Sequence, residues 1–476
     1  MQLRMAVTAA TAVVLASAAA CSSSSSPKSS TSSAASPSTV TTSPSGSSGS
    51  STTAPRTTSV DWPTYYGDVR RDGVSTAGPR TDGRFHRAWA SSRLDGDVYA
   101  QPLVVGSRVI VATADDSVYA LSLASGKVEW QRHVGTPVPS SSLPCGNVDP
   151  VGITGTPVVD AAAGRVYAVG MVQPMHHELF ALDLATGRVI ASQRVDASGS
   201  DPAVENQRGA LALANGAVYV PFGGRYGDCG DYHGAVTSVA VTTNGLGAVH
   251  SYTLPTQREG GFWSPAGPAF EPDGSFFIAS GNSSSNGRYD YGNTLVHLSA
   301  TLQLVDSFAP TNWIALNEGD VDIGSTSPAL LSNGRIFQIG KSGTGYVLDA
   351  AHLGGIGGEL TSTKVCPSQA FGSVAHRTNA VYVPCNDALV AMDAGGSSLS
   401  RTWSASISLP GPAVIDGSLL WLLGTENGDL IALDAASGHQ VFSLHLDSVP
   451  SRFTSPALGG GDVIAAANRT VYAISG

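Results

Sequence analysis

Cysteines are the residues of this chain whose chemistry is most tightly limited by type and spacing. Cys145, Cys229, Cys366 and Cys385 follow the N-terminal region, which contains one more, Cys21. None of the four forms a CxxC or CxxCH motif, which disfavours a zinc ribbon and covalently bound c-type haem. In an exported chain, an even number of cysteines predicts two disulfides, for which four cysteines allow three connectivities.

Two tryptophans and a histidine pair are further candidates for binding. Trp263 and Trp313 lie in links between repeated units. There they either form the floor beneath a flat ligand or fill a central channel. His176 and His177 are neighbours that point apart on a strand or tight turn, so we interpret them as a surface polar pair rather than a metal site. The sequence has no GxSxG elbow, no phosphate loop and no HExxH motif, which disfavours those classes of enzyme.

Composition indicates the kind of element that must position these residues. The 476 residues include 55 glycines and only 13% charged residues, which is typical of a turn-rich β protein. The formal net charge of −10 argues against a nucleic-acid partner, because phosphates are bound by Lys and Arg.

A repeated phrase predicts the fold. It reads VYALSLASGKVEW at 118–130, LFALDLATGRVIA at 179–191 and LIALDAASGHQVF at 430–442. Eight apolar hairpins with Gly, Asp or Asn turns recur along the chain, each followed by a third and a fourth strand. Four strands per unit, at a spacing of roughly 40–60 residues, predict an all-β fold, an eight-bladed β-propeller of four-stranded antiparallel blades.

The two ends of the chain predict how the ring closes. The last unit stops at TVYAISG, after its third strand. The stretch RFHRAWASSRL at 84–94 resembles the fourth strands and supplies the missing one, so an N-terminal strand is expected to pair with the last blade. The other interpretation of 84–94 is a lead-in loop.

Strand order predicts one face with long loops. In a four-stranded meander, the loop after strand two and the link to the next blade share a face, called here the long-loop face. Long loops on one rigid face are where binding usually occurs; the other interpretation is a decorated scaffold. All four cysteines map to this face, which favours the pairs Cys366–Cys385 and Cys145–Cys229. In blades two to five, the long stretches are 171–178, 223–234, 281–293 and 309–325.

The N-terminus predicts export and a tether. Residues 1–21 read as a signal peptide, and AAAC resembles the lipobox of bacterial lipoproteins, with Ala18 where that family usually has Leu. Cys21 is therefore expected to be lipidated and to anchor the protein to the outer face of the cell membrane; plain secretion without lipid is the alternative. The Ser/Thr/Pro-rich residues 22–58 predict a disordered tether, and 59–476 form the propeller domain.

The repeat Ala-Leu-Asp-x-x-[Ser/Thr]-Gly, followed in one copy by Trp130, resembles the repeat of pyrroloquinoline-quinone (PQQ) propellers. The stretch DWPTYYGDVRRDGVS at 61–75 is similar to the lead-in of many such proteins. That superfamily includes quinoprotein dehydrogenases and the propeller subunit of the outer-membrane β-barrel assembly machinery. The resemblance covers about residues 59–476 and implies the fold more firmly than an activity.

The resemblance also implies a cofactor site. Asn282 matches the family's Gly-Asn calcium motif, and GDVDIGSTSP at 319–328 resembles its Asp-x-Asp stretch. This implies Asn282 and Asp322 as calcium ligands, Asp320 or Asp322 as the base, and Lys341 as the contact to the quinone oxygens. The family's adjacent Cys-Cys pair and fused cytochrome are absent, and Asp228 or Asp231 lies near the place of its Glu ligand. The other interpretation makes Asn282 and Asp322 turn residues and Lys341 a salt-bridged structural residue.

These observations favour a monomeric binding or assembly module at the cell envelope over an enzyme. Its long-loop face would hold a protein, a glycan or a small ligand. The alternative that the resemblance implies is a dehydrogenase for alcohols or sugars that depends on PQQ and calcium. A third reading is a structural lipoprotein whose ring only displays loops.

Overall fold

A computed structural model describes residues 61–79, 84–243, 245–396 and 398–476. The predicted signal peptide, Cys21 and the predicted tether at 22–58 lie outside the described residues. Eight sheets, each with four strands in blade order, build a β-propeller, as the repeats predict. Within the described ranges, no helix combines the length and apolar character needed to cross a membrane.

The strands before the first blade are short, and blades one to four follow in chain order. Strand β1 is Val74–Ser75 and β2 is His86–Ala90. Blade one consists of β3 (Leu103–Val105), β4 (Arg108–Ala112), β5 (Ser117–Ser122) and β6 (Val128–His133). Blade two consists of β7 (Val158–Asp160), β8 (Arg165–Val172), β9 (His176–Asp183) and β10 (Val189–Arg194). Blade three consists of β12 (Ala212–Ala214), β13 (Ala217–Gly224), β14 (Ala235–Thr242) and β15 (Gly245–Thr253), with β11 (Glu205–Asn206) added to β13. Blade four consists of β16 (Ala269–Phe270), β17 (Phe276–Ala279), β18 (Leu295–Leu298) and β19 (Leu304–Ala309).

Blades five to eight repeat the same order. A short helix, α1 (Trp313–Glu318), precedes blade five, and a 3-10 turn, Ser140–Ser142, precedes blade two. Blade five consists of β20 (Ala329–Leu330), β21 (Arg335–Gln338), β22 (Thr344–Asp349) and β24 (Thr361–Lys364), while β23 (Gly355–Ile356) pairs with β19 of blade four. Blade six consists of β25 (Ala375–Arg377), β26 (Ala380–Cys385), β27 (Ala388–Asp393) and β28 (Ser400–Ser406). Blade seven consists of β29 (Val414–Asp416), β30 (Leu419–Gly424), β31 (Asp429–Asp434) and β32 (Gln440–His445), with β1 added to β29. Blade eight consists of β33 (Ala457–Gly459), β34 (Asp462–Ala467) and β35 (Thr470–Ser475).

The eighth blade is completed from the other end of the chain. Strand β2 pairs antiparallel with β35, placing His86 opposite Ser475 and Ala90 opposite Tyr472. The predicted closure is therefore confirmed. A closed ring leaves no blade face bare, because every sheet packs against two neighbours.

Burial falls from the axis to the rim. Strands β29, β30 and β31 of blade seven are buried along most of their length, whereas the outer strand β32 is largely exposed. Blade one has the same gradient from β3 to β6. Apolar runs at the inner strands and polar outer strands are what a ring of stacked sheets requires.

The glycine of the repeated phrase serves a contact between blades. Gly126, Gly187 and Gly438 all have positive φ, at 69°, 68° and 71°. A Cβ at any of them would lie within 2.5 Å of a tryptophan ring from the outer strand of the preceding blade. The indoles of those tryptophans donate to a carbonyl three residues before the glycine, in the pairs Trp89–Leu123, Trp130–Leu184 and Trp403–Ala435. The phrase therefore repeats because it docks one blade on the next.

Residues 61–79, called here the axial segment, contact all eight blades in ring order. The partners lie on or beside the first strand of each blade, so this segment runs around the axis. Asp61 accepts a hydrogen bond at the first turn of blade one, and Ala77 accepts one at the first turn of blade eight, which places both ends of the segment toward the face opposite the long loops. The contacts are Trp62–Val104, Pro63–Val159, Thr64–Leu211, Val69–Phe270, Arg70–Leu330, Asp72–His376, Gly73–Ile415 and Ala77–Gly461.

The predicted long loops of blades three to five are confirmed, but the prediction of a long loop at 171–178 in blade two is wrong. Residues 171–178 belong mainly to the paired strands β8 and β9, joined by a three-residue turn at 173–175. The length in blade two lies instead in its entry link, residues 134–157. Strands that extend as a regular hairpin look like a loop in sequence when Pro and two His interrupt the apolar alternation.

Candidate functional site

A cavity of about 790 Å³ opens at the axis on the long-loop face. Its wall follows one repeated position: the residue four places before the first strand of a blade. Seven of the eight residues at this position line the cavity, and Pro410 of blade seven is the exception. The seven are Tyr99, Thr154, Arg208, Pro265, Ser325, Phe371 and Phe453. The volume is within the range of small-molecule sites.

Trp263 provides a flat aromatic surface in the cavity wall. Its indole nitrogen donates to the carbonyl of Gly224 at 3.1 Å, which fixes the ring. A Cβ at Gly223, Gly261 or Gly281 would lie within 2.7 Å of the ring, so only glycine admits it at this depth. The residue stays half-buried and reaches a ligand by stacking.

An ion-pair triad lies beside Trp263. Lys341 Nζ is 2.6 Å from Asp322 Oδ2 and 2.7 Å from Asp320 Oδ1. Asp322 is 2% exposed, and its burial raises its pKa despite the contact with Lys341. Burial alone would lower the pKa of Lys341, but Asp322 and Asp320 outweigh it and raise that pKa. Lys341 therefore stays charged and holds both carboxylates.

Asn282 lies behind this triad rather than in the cavity wall. Its backbone N–H donates to Asp322 Oδ1 at 2.7 Å, and its side-chain Nδ2 donates to Glu259 Oε2 at 3.4 Å. Among the described residues, no group donates to Asn282 Oδ1, which is buried. Sequence reasoning missed Glu259, which also contacts Arg258.

The remaining expected positions divide between the cavity and its surroundings. Asp228 lines the cavity and accepts a hydrogen bond from Tyr232 at 2.7 Å, whereas Asp231 is exposed outside it. Trp313 lies outside the cavity wall and packs edge-on against Tyr289, 5.5 Å between ring centroids.

The histidine pair differs from its interpretation as a surface pair. His177 is buried, and its Nδ1 is 2.8 Å from Asp196 Oδ1. Burial lowers the pKa of His177, and Asp196 opposes that effect only in part. His176 points away and lies 3.4 Å from Glu178, so the two rings do not share a site.

Both disulfides form with the favoured pairing, Cys145–Cys229 and Cys366–Cys385. The first joins the entry link of blade two to the long loop of blade three, residues 225–234. Asn147, Val148 and Tyr226, next to these cysteines, line the mouth of the cavity. This disulfide therefore ties two arms of the cavity rim together.

Comparison with known proteins agrees with this architecture. A family model described as outer membrane protein assembly factor BamB matches residues 87–251. No curated protein is similar enough in sequence to count as a relative. Among solved structures, quinohemoprotein alcohol dehydrogenase from Comamonas testosteroni is similar with a TM-score of 0.69 and 16% identity, over 87% of this chain and 80% of that one.

Two further solved structures are similar to this chain. A europium-containing methanol dehydrogenase has a TM-score of 0.64 and 16% identity, covering 86% of this chain and 90% of its own. BamB from Moraxella catarrhalis has a TM-score of 0.53 and 13% identity, covering 83% and 98%. The fold is that of a PQQ-like β-propeller. Identities this low establish the fold alone.

Most of the oxygens expected to bind calcium beneath a quinone are engaged by other groups of the chain. Calcium takes six to eight oxygens. Here Asp322 is engaged by Lys341 and by the Asn282 N–H, Asp228 is engaged by Tyr232, and Asn282 Oδ1 lies behind the wall. In the described part of the chain, no group of three or more His, Cys, Asp or Glu is placed to hold a metal.

Proposed function

We propose that this protein is a binding module of the cell envelope, anchored by a lipid on Cys21, that holds a small ligand in the axial cavity. One observation carries the proposal. Seven blades direct the same repeated position into one cavity of about 790 Å³, and Trp263 presents a fixed aromatic face to it. A rigid ring that focuses single residues from many blades onto one point is suited to ligand recognition.

The proposal favours binding over catalysis because the acidic groups of the site are already engaged by other side chains. Asp320 and Asp322 are both held by Lys341, so neither is a free base. A general base must reach the proton that it accepts. A small ligand is favoured over a protein or glycan partner because the specific residues line a cavity rather than the loop tips.

A neutral aromatic dye tests the cavity directly. We expect N-phenyl-1-naphthylamine to bind the 58–476 domain saturably, with a rise in dye fluorescence. Trp263→Leu should weaken binding about tenfold, since a stacked aromatic contact and its buried area are lost. The matched control Trp313→Leu removes a tryptophan outside the cavity and should leave the affinity unchanged. Equal binding by all three proteins would refute the cavity as the site.

Calcium dependence of PQQ binding distinguishes the dehydrogenase alternative from the binding module. Equilibrium dialysis against PQQ, with calcium and with a chelator, distinguishes the two readings. Saturable binding that requires calcium and is lost in Asn282→Ala and Lys341→Ala would support the dehydrogenase. Binding that is unaffected by the chelator would make PQQ an ordinary flat ligand of the proposed site.

The anchor has its own test. Metabolic labelling with a clickable palmitate analogue should mark the full-length protein, and Cys21→Ala should abolish the label. The same variant should move the protein from the membrane fraction to the medium or the soluble envelope fraction. A wild-type protein that carries no label would establish plain secretion instead.

A further inference from the structure

Two arginines and two phenylalanines form a row across the cavity, called here the arginine–phenylalanine row. Arg208 Cζ lies 4.2 Å above the ring centroid of Phe453, and Arg452 Cζ lies 4.3 Å above that of Phe371. The two rings meet edge-on at 6.4 Å. All four residues line the cavity, from the entry links of blades three, six and eight. Stacking on a ring fixes the plane of a guanidinium and directs its N–H groups sideways.

Neither arginine has a carboxylate partner. Across residues 61–79, 84–243, 245–396 and 398–476, no ion pair involves Arg208 or Arg452. Arg452 Nη1 donates to the neutral amide of Asn386 at 2.9 Å. Arg208 Nη2 makes only a long contact, 3.4 Å, to the carbonyl of Trp263, and its Nε has no acceptor within the described residues.

Burial makes the positive charges of Arg208 and Arg452 energetically unfavourable. Burial lowers the pKa of Arg208 to about 10, and it lowers the pKa of Arg452 as well, yet both side chains remain charged at neutral pH. A partly desolvated cation without a counter-ion is unfavourable, and the usual remedy in proteins is a paired anion. Within the described residues, no carboxylate lies within ion-pair distance of either guanidinium, and the buried Nε of Arg208 has no acceptor.

The acidic groups of the cavity make no ion pair with these arginines, and Asp322 acts on Arg208 only through space, where it opposes the effect of burial on the pKa of Arg208. Lys341 takes up Asp320 and Asp322, and Tyr232 donates to Asp228. The acidic side chains of the cavity are thus engaged by other groups, and neither guanidinium of the row has a carboxylate within ion-pair distance among the described residues. A cationic ligand would find no free carboxylate at the row and would be repelled by it.

We propose that the ligand of the axial cavity is a small molecule bearing oxyanions, carboxylate or phosphate, and that Arg208 and Arg452 bind those groups. The proposal rests on the cavity's being the binding site, as proposed above, and names the class of ligand. Planar guanidiniums match carboxylate and phosphate oxygens in pairs, and such charge-assisted bonds are stronger than neutral ones. Trp263 would stack on the body of the same molecule.

Three naphthalene probes separate charge from shape. Calorimetric titration of the 58–476 domain would use 2-naphthoate, 2-naphthyl phosphate and neutral 2-naphthol, which share one ring system. We expect at least one of the two anions to bind about tenfold or more tightly than 2-naphthol. The tighter anion indicates whether carboxylate or phosphate is the natural group, and either result supports the proposal.

Variants assign the preference to the row. In Arg208→Gln and Arg452→Gln, the ratio of anion affinity to naphthol affinity should fall about tenfold, while naphthol binding persists. Because the ratio is taken within one protein, general damage to the cavity cancels. Arg188→Gln removes an exposed arginine on the opposite face and should keep the ratio of the wild type.

The outcomes separate the two proposals. Naphthol binding as tightly as both anions, or an unchanged ratio in both row variants, would overturn the oxyanion inference and leave the cavity as a binding site. Failure of all three probes and of N-phenyl-1-naphthylamine to bind would overturn both.

Discussion

Lys341 is the residue on which the acidic side of the cavity depends. Its ammonium contacts Asp322, which is almost fully buried, and Asp320, which is exposed. Removing one partner of a buried ion pair leaves an uncompensated charge, which typically costs about 3–5 kcal/mol. The same residue matches the position that quinoprotein likeness would assign to a cofactor contact, so structural and binding roles must be tested separately.

We expect Lys341→Met to destabilise the propeller by about 3 kcal/mol at neutral pH, because Asp322 loses its counter-ion. Adding Asp322→Asn to that variant should recover most of the loss. Urea unfolding of the single and double variants measures both values. If Lys341→Met were as stable as the wild type, the ion pair between Lys341 and Asp322 would not contribute to stability in solution.

Asp116 is a buried carboxyl of another kind. No described residue donates a hydrogen bond to either of its oxygens, and it is fully buried in blade one. Gly152 and Gly170 pack so closely that a Cβ on either would lie within 2.7 Å of Asp116 Oδ1. Burial, followed by the nearby Asp115, raises the pKa of Asp116 to about 8.

Asp116 should make the propeller less stable as pH rises. Between its ordinary pKa of 3.8 and about 8, the folded state holds a proton that the unfolded chain has released. Stability therefore falls with rising pH across that window and levels off above it. Asp116→Asn should match the wild type near pH 4 and exceed it by about 5 kcal/mol at pH 8, since each unit of pKa difference corresponds to about 1.4 kcal/mol. Thermal unfolding at both pH values tests this, with exposed Asp231→Asn as the control.

At the scale of elements, the two disulfides have different tasks. Cys145–Cys229 spans 84 positions and ties two arms of the cavity rim, whereas Cys366–Cys385 spans 19 within the surroundings of blade six. The chain-entropy account gives the longer loop the larger effect. The first disulfide also positions residues of the cavity, and the second does not join two blades.

Replacing each cysteine pair by serine should separate these tasks. Loss of Cys145–Cys229 should cost about 1 kcal/mol more than loss of Cys366–Cys385. It should also weaken N-phenyl-1-naphthylamine binding, because the arms carrying Asn147 and Tyr226 are released. Equal dye affinity in both variants would show that the rim is held by its other contacts.

The elements were predictable from sequence where a pattern repeats. Eight hairpins with turn residues, and a fourth strand missing from one end and present at the other, sufficed for the blades and for the β2–β35 closure. Disulfide pairing followed from which face each loop occupies. The blade-two hairpin was misread because His176, His177 and Pro174 break the alternation that marks a strand.

The cavity residues were harder to predict because each appears once. Arg208, Phe371 and Phe453 differ in type, so no motif marks them, although they share one place before the first strand of a blade. That shared place is the signal that aligning the repeats would have revealed. The stacking of arginine on phenylalanine joins entry links of different blades, which no single repeat encodes.

At the scale of the whole molecule, ring closure rests on contacts between distant parts of the chain. Trp89 on β2 docks on Gly126 of blade one, as Trp130 of blade one docks on Gly187 of blade two. The chain joins β2 to blade one through residues 91–102, as it joins blade one to blade two, whereas β2 is held to the rest of blade eight only by its pairing with β35. Closure is therefore the most vulnerable joint of the ring.

We expect Trp89→Ala to lower the melting temperature more than Trp130→Ala, although both remove the same indole contact. Opening the joint also exposes sheet edges, so the Trp89 variant should form dimers or larger species. Calorimetry and size-exclusion chromatography measure the two effects. Equal melting temperatures with both proteins monomeric would show that β2 pairing holds without the indole.

The axial segment imposes an order on the folding of the molecule. Its residues are the first of the described chain to be synthesised, yet the hydroxyl of Tyr65 donates to Phe453, 388 positions later, and Gly461 donates to Ala77. Contacts of such long range form slowly. The segment can complete its contacts only after the eighth blade has been synthesised, so the C-terminal residues determine when folding can finish.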